Sequence, residues 1–595
     1  MFLSLALLAV LVRIQVAASI PVLTADVAHA ISFERSNAKS QTDASGGLGQ
    51  SSFGSKQWLL RGAISQFNPA DISAHAGHTV FIPTEVHLTQ ADWKQLVSLP
   101  VNGVVAATSP FDTHNELLLQ HQLSRAAVSI PVYFLPQDGV AAEKLKKMFA
   151  TLEVSEYAAV SIGNSVREVT PAANASFTGI NIYASLKVKP KEASADTPRL
   201  LITASFDTLG VAPASLTAGG ASAAVAAVDL WWRFNAEAAV NADKNAGVNV
   251  NAAPLNPYSV SFLLGNTARF NYAGTRWWLS NQQEEDLDRY ALVLCLDELL
   301  TSDRSDNTFG EDVDGESTDG KQSADDSSRL YMHVHDSFHN DPYYSQVKEL
   351  AEATAIKQGI HLTILVAKTN YHHYDLHFEH EVLAHRQVHA VTISSTRRYR
   401  SDQLFRAARY PLSTFPNTTK NDTDVAKQLG RRVDFVYAFA KALLRLPEHG
   451  ATTTNNRLWV GNDAYMLGML RHAAVSHRSP VANGGADQLK FAKSLERHMQ
   501  NRLVMPSSPL GRRALSSSVS LSTYRLKPPG IVLFGPYEDV AHVSVVKRKS
   551  MELLVLLAAV VAVGIFAVLE FGFTRTIRVL MNCEGELETA SSGSS

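Results

Sequence analysis

Short apolar runs alternate with segments of helical periodicity along most of this chain, and this succession predicts strands and helices in turn. Between residues 180 and 394, short apolar runs typical of buried strands are separated by segments with helical periodicity. The strands are predicted at Ile180–Val188, Leu200–Ala204, Tyr258–Leu264, Tyr290–Leu296, Leu330–Val334, His361–Val366 and Val388–Ser394. The helices are predicted at Ser222–Phe234, Gly274–Asn281, Tyr343–Gln358 and about Asp424–Leu446. Strands and helices that alternate in this way favour a three-layer α/β sandwich.

The chain of 595 residues is too long for one ordinary domain, and its pattern changes along the sequence. Mixed α/β patterning before residue 176 indicates a smaller domain, and a Ser/Gly-rich stretch before that is typical of disorder. The predicted parts are a signal peptide at 1–24, a disordered segment at 25–56, an accessory α/β domain at 57–175, the main α/β domain at 176–450, a helical juxtamembrane segment at 451–550, a transmembrane helix at 551–573 and a cytosolic tail at 574–595. The predicted fold class is therefore α/β, with a three-layer main domain, a smaller N-terminal domain and one C-terminal transmembrane helix.

Apolar runs at the two ends of the chain predict its relation to a membrane. Residues 1–12 are apolar and are followed by small residues, which indicates a secretory signal peptide. Arg13 and the lack of a preceding basic residue leave an uncleaved anchor as the alternative. Leu553–Leu569 has 17 uncharged residues and would span roughly 25 Å as a helix. Extended to residue 573, it can cross a bilayer core of about 30 Å, and a buried helix of a soluble protein is the alternative.

Basic residues flank this second apolar run on both sides, so the positive-inside rule leaves its orientation undecided. The signal peptide decides it instead and predicts that the large N-terminal part is luminal. Three sequons, at Asn174, Asn417 and Asn421, are compatible with a luminal face and are glycosylation candidates.

Net charge and cysteine content argue against a nucleic-acid-binding protein and against a fold stabilised by disulfides. The net charge is -2, so the chain has no basic surface for nucleic acid. Its two cysteines, Cys295 and Cys583, are far apart, one in an apolar strand and the other beyond the C-terminal apolar run. A disulfide between them is not expected, so the fold must be held by its hydrophobic core.

Two acidic residues stand where predicted parallel strands end, which is where the functional groups of such sheets gather. Asp207 follows the strand Leu200–Ala204, and Asp297 follows the strand Tyr290–Leu296. The loop after Asp207 contains no His, Cys, Asp or Glu as far as Ala227. Since a two-zinc hydrolase needs several carboxylate and histidine ligands, these two acids alone cannot make such a site.

A second candidate metal site is the histidine-rich stretch His372–His380. On a helix, His373 and His377 would share one face at a spacing that suits zinc. The alternative is a loop-to-helix segment in which Glu379 and His380 have a structural role and the other histidines lie at the surface. The sequence contains no Gly-x-Ser-x-Gly elbow, P-loop or Cys-x-x-Cys pair.

Several short motifs, taken in order along the chain, point to one family. They are Ser205-Phe-Asp207 with Gly210-Val-Ala-Pro213, Phe270-Asn-Tyr-Ala-Gly-Thr275, Cys295-Leu-Asp297, Glu379-His-Glu381 and Tyr524-Arg-Leu-Lys-Pro528. Together they resemble the nicalin family, which are nicastrin-like membrane proteins of the endoplasmic reticulum. The resemblance runs with gaps from about residue 24 to 573. It implies a luminal domain with the fold of zinc aminopeptidases and the transferrin receptor.

The resemblance also implies that the metal ligands of the active aminopeptidases have been lost. The corresponding positions in this chain are Ser205-Phe-Asp207 for a His-x-Asp motif, Ala218-Gly219-Gly220 for a bridging acid, Gly265–Ala268 for a Glu-Glu pair and Ser395 for the last histidine. Because other metal-binding residues do not replace these ligands, zinc affinity should collapse. Asp207 and Asp297 would be relic ligand positions in a protein without catalytic residues, metal or cofactor.

The function implied by the resemblance is that of a non-catalytic scaffold subunit, single-pass in the membrane of the endoplasmic reticulum. The implied partners are a nodal modulator-like luminal protein, a small polytopic membrane protein and the Sec translocon during biogenesis of multi-pass membrane proteins. The first alternative is a nicastrin-like substrate receptor of an intramembrane protease, although such ectodomains are rich in disulfides. The second is a metal-dependent aminopeptidase, which the missing ligands oppose.

Overall fold

The computed structural model describes residues 23–572 with gaps. The gaps are 31, 37–49, 56, 109–114, 116–117, 120–121, 124–126, 136–138, 154–155, 163–171, 174–176, 189–196, 208–220, 247–257, 301–327, 370–375, 398–419, 447–461, 475, 477–485, 501–514, 527–530, 536–537 and 548. The predicted cytosolic tail and all but the last two residues of the predicted signal peptide lie outside the described residues, as do Asn174 and Asn417.

Strands and helices alternate through the main domain, and further strands follow near the C-terminus. The strands are β1 Leu23–His29, β2 Ser32–Ser36, β3 Gln50–Phe53, β4 Leu60–Gln66, β5 Thr79–Ile82, β6 Gly103–Ala106, β7 Val132–Phe134, β8 Glu156–Ile162, β9 Ala172–Ala173, β10 Phe177–Val188, β11 Arg199–Ser205, β12 Tyr258–Gly265, β13 Tyr290–Leu296, β14 Arg329–His335, β15 His361–Ala367, β16 Ala390–Ser394, β17 Leu515–Leu526, β18 Ile531–Gly535 and β19 Glu538–Lys547. The helices are α1 Gln90–Ser98, α2 Val140–Thr151, α3 Ala221–Ala246, α4 Ala273–Ser280, α5 Glu284–Leu287, α6 Asp336–His339, α7 Pro342–Gln358, α8 Glu379–Ala384, α9 Lys420–Leu443, α10 Asn462–Ala474, α11 Ala486–Gln500 and α12 Lys549–Phe571.

A closed barrel with the strand order β1-β19-β8-β4-β5-β6-β7 forms the smaller domain. Along β1, buried and exposed side chains alternate, so that Leu23, Ala25 and Val27 all enter a core of the barrel. Antiparallel pairing of β1 with both β7 and β19 closes the barrel, with Leu23 opposite Val543. The first and the last of the strands that the structure describes are therefore neighbours.

The barrel differs from the predicted accessory domain at both boundaries. Residues 25–56, predicted to be disordered, include most of β1 and all of β2 and β3. The segment 451–550, predicted to be helical, contains α10 and α11 but also β17, β18 and β19. β17 and β19 pair with strands hundreds of residues earlier in the chain, and a local pattern of apolar positions does not predict such pairing.

The main domain is built on a sheet with the strand order β15-β14-β16-β13-β11-β12-β10-β17. β11, β12, β13 and β16 are parallel, β14 is antiparallel to β16, and β10 is antiparallel to β12 and β17. In β11, Leu200 and Ile202 belong to a core with α3, α7, α9, α10 and α11, whereas Leu201 belongs to a core with α4, α5 and α8. The predicted mixed α/β fold is confirmed, with helices on both faces of the sheet.

Helix α11 docks on the main domain through two tryptophans of α3. The indole nitrogens of Trp231 and Trp232 donate hydrogen bonds of 2.8 Å to the carbonyl oxygens of Met499 and His498, respectively. These carbonyls lie in the last turn of α11, where a helix has no donors of its own to offer them. The two tryptophans thus hold the C-terminal end of α11 against α3.

The predicted transmembrane helix and one predicted glycosylation site fall on helices of the structure. The segment predicted to cross the membrane coincides with α12. Among the residues described by the structure, no helix is both long and apolar enough to span a bilayer, so the transmembrane segment stays a prediction. Asn421, the sequon within the described residues, lies in the first turn of α9, and its glycosylation also stays a prediction.

Candidate functional site

The carboxyl ends of β11, β12, β13 and β16 lie at one edge of the main sheet, because these strands are parallel. Asp207, Asn266, Asp297 and Ser395 stand just beyond these ends, and all four are buried. We call these four residues the strand-end site. The structure thus places the two acids, Asp207 and Asp297, at the same edge, together with the positions that the family resemblance assigns to a Glu-Glu pair and a last histidine.

Asp297 and Ser395 are held by hydrogen bonds at the ends of β13 and β16. The Asp297 amide donates to the Ile393 carbonyl at 3.0 Å, and the Ser394 hydroxyl donates to Asp297 Oδ2 at 3.2 Å. The Ser395 hydroxyl donates to the Glu298 carbonyl at 2.5 Å. The position of the last histidine therefore carries a short side chain that is bonded to the main chain.

Asn266 and Thr267 follow β12, where the family resemblance places a Glu-Glu pair. Asn266 Oδ1 accepts a hydrogen bond from the Ile180 amide at 2.7 Å. The Thr267 hydroxyl accepts from the Gly274 amide at 2.7 Å and is 2.9 Å from the Tyr524 hydroxyl. Both side chains connect neighbouring parts of the fold instead of pointing outward as metal ligands would.

Tyr524 of β17 packs against residues next to the strand-end site. It is paired with Gly179 of β10, and a β-carbon at Gly179 would lie only 2.1 Å from Tyr524 Cζ. A β-carbon at Gly274 would lie 2.8 Å from the Tyr524 hydroxyl oxygen. Trp277 stacks on the same ring, with 4.9 Å between ring centroids. Because Tyr524 also belongs to a hydrophobic core of the barrel, it connects β10, α4 and the barrel.

Glu379, at the start of α8, is a buried carboxyl for which sequence reasoning gave only a structural role. It accepts hydrogen bonds from the hydroxyls of Thr203, at 2.6 Å, and Thr275. Burial raises the pKa of Glu379 to about 7, and the negative charges of Asp297 and Asp207 act in the same direction. Both acids therefore favour the neutral form of Glu379.

The histidine-rich stretch is only partly described. His373 lies in the gap 370–375, so the predicted pairing of His373 with His377 falls outside the described residues, as does the bridging loop at Ala218–Gly220. His380 is buried, and its Nδ1 is 2.8 Å from the Thr392 hydroxyl. Burial lowers the pKa of His380, which keeps the ring neutral. This contact within the fold is compatible with the structural role that the alternative interpretation predicts for His380.

The donors at the described ligand positions do not fit a two-zinc centre. Asp207 and Asp297 supply carboxylates, but Ser205, Asn266 and Ser395 offer hydroxyl and amide groups, which are not the ligands that zinc prefers. Across the described parts of the chain, no group of three or more His, Cys, Asp or Glu side chains could hold a metal ion. The arrangement can stiffen this edge of the sheet through hydrogen bonds, and that is a structural capability.

The chain resembles known proteins in sequence and in fold. No protein-family profile matches the chain. Among curated proteins, the chain is similar to "BOS complex subunit ncln" of Danio rerio, a nicalin, with 23% identity over 339 residues. The match covers 53% of this chain and 51% of the relative, so the chain spans about half the length of the curated relative it matches.

Among solved structures, the crystal structure of the γ-secretase component nicastrin matches with a TM-score of 0.51 at 11% sequence identity. The match covers 88% of this chain and 99% of the nicastrin chain, and it shows the fold alone. A zinc aminopeptidase from Bacillus subtilis has a TM-score of 0.27 at 12% identity, over 76% of this chain and 90% of its own, and a TM-score this low does not establish a common fold. The resemblance predicted from the sequence motifs is confirmed: the chain is similar to nicalin, and its α/β fold resembles that of nicastrin.

Proposed function

We propose that this protein is a non-catalytic scaffold subunit of a complex in the membrane of the endoplasmic reticulum. The observation that carries the proposal is the use of Asn266, Thr267 and Ser395 for hydrogen bonds within the protein. In an active site, such positions would face a substrate or a metal. The similarity to a protein named as a subunit of the BOS complex supports a role in an assembly.

The proposed partners are a nodal modulator-like luminal protein, a small polytopic membrane protein and the Sec translocon, during biogenesis of multi-pass membrane proteins. In the proposed topology, the segment 551–573 crosses the membrane once and the large N-terminal part is luminal. Helices within a bilayer associate by close packing of their side chains. Leu557 and Val560 of α12 are 61% and 65% exposed, which makes this helix the proposed contact for the polytopic partner.

The proposal predicts that the protein has no zinc-dependent peptidase activity. Purified full-length protein, incubated with zinc and short peptides, is expected to release amino acids no faster than the same protein in a chelator. The reason is that the described ligand positions retain two carboxylates and no histidine. A zinc aminopeptidase in the same assay is the positive control. Zinc-dependent release that disappears in Asp297→Ala would contradict the proposal.

Affinity capture of the full-length protein from a mild detergent is expected to recover translocon components, the luminal partner and the polytopic partner. The matched control replaces residues 551–573 by an unrelated transmembrane helix of the same length. This control is expected to retain the luminal partner and to lose the polytopic one, because only the packing surface of the helix has changed. If the unmodified protein recovers none of these partners, the proposal is wrong, and recovery of a presenilin-type protease would support the receptor alternative.

A further inference from the structure

Helix α12 begins almost directly after β19 of the barrel. β19 ends at Lys547 and α12 begins at Lys549, so a single residue separates them. Because consecutive Cα atoms are about 3.8 Å apart, α12 starts within about 8 Å of the end of β19. Every large apolar side chain that the structure describes in α12 is exposed, so the helix leaves the barrel and does not pack along it. We call this end of the barrel the α12 end.

The strand directions show which other parts of the barrel lie at the α12 end. β19 and β4 are both antiparallel to β8, so they run in the same direction, and Lys547 is opposite Glu156, the first residue of β8. β5, β6 and β7 are parallel to β4 in turn. β7 therefore ends and β8 begins at the α12 end, and α2 is the helix that connects these two strands.

Helix α2 lies across the mouth of the barrel at the α12 end. It contacts both β1 and β4, which are separated by β19 and β8 in the barrel. Ala141, Leu145 and Met148 of α2 are buried in a core of the barrel. Phe149 stacks on Phe81 of β5, with 6.0 Å between ring centroids. One face of α2 thus closes the barrel, and the opposite face points away from it.

The face of α2 that points away from the barrel is exposed and carries lysines. Val140, Lys144, Lys147 and Thr151 follow one another at helical spacing and are all exposed. The whole helix has three lysines and one glutamate. We call these four exposed residues the outer face of α2.

The acids closest to the outer face of α2 are already paired within the chain. Lys146 forms ion pairs with Glu85, which follows β5, and with Glu143 of α2, at 2.9 Å for the second pair. Within the parts of the chain that the structure describes, Lys144 and Lys147 form no ion pair. Their charges are therefore available to a partner outside this chain.

We propose that the outer face of α2 contacts the phosphate groups of lipid headgroups, on the bilayer that α12 enters. The proposal rests on the proposed function, in which residues 551–573 cross the membrane. Because α12 leaves the barrel at the α12 end, the bilayer surface lies beyond that end, on the side of α2 that faces away from the barrel. Lysines close to a bilayer are attracted to its anionic groups.

The charges around the junction with α12 agree with this arrangement. Residues 547–549 are Lys, Arg and Lys, so basic residues stand where the chain would meet the bilayer surface. Glu153, in the loop after α2, is exposed and offsets only part of this charge. A contact through α2 gives the N-terminal part of the protein a second attachment beside α12. Two attachments fix how the barrel is oriented on the membrane, which a single helix after a one-residue link does not.

Fluorescence quenching in vesicles tests the contact on the full-length protein. The vesicles contain phosphatidylserine and phosphatidylcholine, with a nitroxide on the headgroup of part of the phosphatidylcholine. The fluorophore is attached at Thr151→Cys in a Cys583→Ser background, in which Cys295 stays buried. The matched site is Arg61→Cys on β4, an exposed position opposite Ser161 of β8.

Position 151 is expected to be quenched roughly threefold more strongly than position 61. Ser161, the partner of residue 61, is five residues from Glu156 along β8, so position 61 lies about 17 Å further from the α12 end. Equal quenching at the two positions would overturn the proposal, because the outer face of α2 would then not lie at the headgroups.

Charge reversal tests whether the lysines make the contact. Lys144→Glu together with Lys147→Glu is expected to lower the quenching at position 151 to the level of position 61, because the reversed face is repelled by phosphate. Both lysines are exposed, and glutamate is about as good a helix former as lysine, so α2 should still form. Arg61→Glu is the matched control and should leave the quenching at position 151 unchanged. Quenching that survives the double reversal would overturn the proposal.

A separate label distinguishes failure of this proposal from failure of the proposed function. A fluorophore at Val560→Cys is expected to be quenched by lipids that carry the nitroxide on an acyl chain, because α12 would lie in the bilayer core. If position 560 is not quenched, the membrane span and the contact of α2 are both wrong. If position 560 is quenched and position 151 is quenched no more than position 61, only the contact of α2 is wrong.

Discussion

Replacing Gly179 by alanine is expected to lower the free energy of unfolding by about 3 kcal/mol, near the upper end of what overpacking in a core costs. The added β-carbon would lie 2.1 Å from Cζ of Tyr524. The two residues are opposite each other in paired strands, so the backbone cannot move them apart without breaking β10 from β17. The Tyr524 ring must therefore leave its place, with loss of its stacking on Trp277 and its hydrogen bond to Thr267.

Denaturant unfolding of the purified protein measures this effect, and a double-mutant cycle tests its cause. Tyr524→Ala removes the ring and is expected to cost about as much as Gly179→Ala, since large-to-small core changes cost roughly 3–5 kcal/mol. The double variant should then be no less stable than Tyr524→Ala alone, because the clash no longer exists. Gly468→Ala is the control, because a β-carbon at this position in α10 meets nothing within 4 Å. If the two effects add, the close approach of Gly179 to Tyr524 is not their cause.

Glu379→Gln is expected to be more stable than the unmodified protein at pH 8 by about 3 kcal/mol, with no such gain at pH 4. The pKa of Glu379 is raised from 4.5 to about 7 in the folded state, chiefly because the group is buried. The contribution of neutral Glu379 to folding stability is therefore fully present below pH 4.5 and is lost as the pH rises through 7. A pKa difference of this size corresponds to about 3 kcal/mol. A glutamine stays neutral and can keep hydrogen bonds with Thr203 and Thr275.

His29 acts in the opposite direction over nearly the same pH range. Its ring is buried in the barrel, stacked 3.8 Å from Trp58, and burial lowers its pKa from 6.5 to about 4. The stability that depends on neutral His29 is therefore lost as the pH falls from 6.5 to 4. In the unmodified protein the two effects partly cancel. Unfolding in urea at several pH values should show that the difference between Glu379→Gln and the unmodified protein grows from pH 4.5 to 7, and a constant difference would contradict the assignment.

The strands of the main sheet were predictable because most of them are buried on both faces. The predicted strand Tyr290–Leu296 coincides with β13, and Leu200–Ala204 lies within β11. The helix predicted at Ser222–Phe234 continues to Ala246, since the residues that follow Phe234 include several alanines with high helix propensity. β17 was missed because it begins with Leu515 and three consecutive serines, which continue a Ser/Arg-rich stretch and resemble a polar loop.

The strand-end site was predictable in position but not in its contacts. The structure places Asp207 and Asp297 beyond β11 and β13, where the pattern of strands predicts them. The hydrogen bond between Thr267 and Tyr524 joins residues 257 positions apart, and no periodicity links them. The sequence did contain a signal for Glu379. This acid stands in the largely apolar stretch LHFEHEVLA, and an acid that is buried in such a stretch needs hydrogen-bond partners.

The pairing of β1 with β19 constrains how this protein can fold during its synthesis. Leu23 is paired with Val543, which the ribosome adds about 520 residues later. At roughly 5–20 residues per second, this delay is on the order of 30–100 s. For all that time β1 lacks one of its two neighbours, and the barrel stays open with apolar side chains exposed. The small domain is therefore the first to begin and among the last to finish, so a nascent chain of this protein should depend on chaperones that shield an unpaired strand.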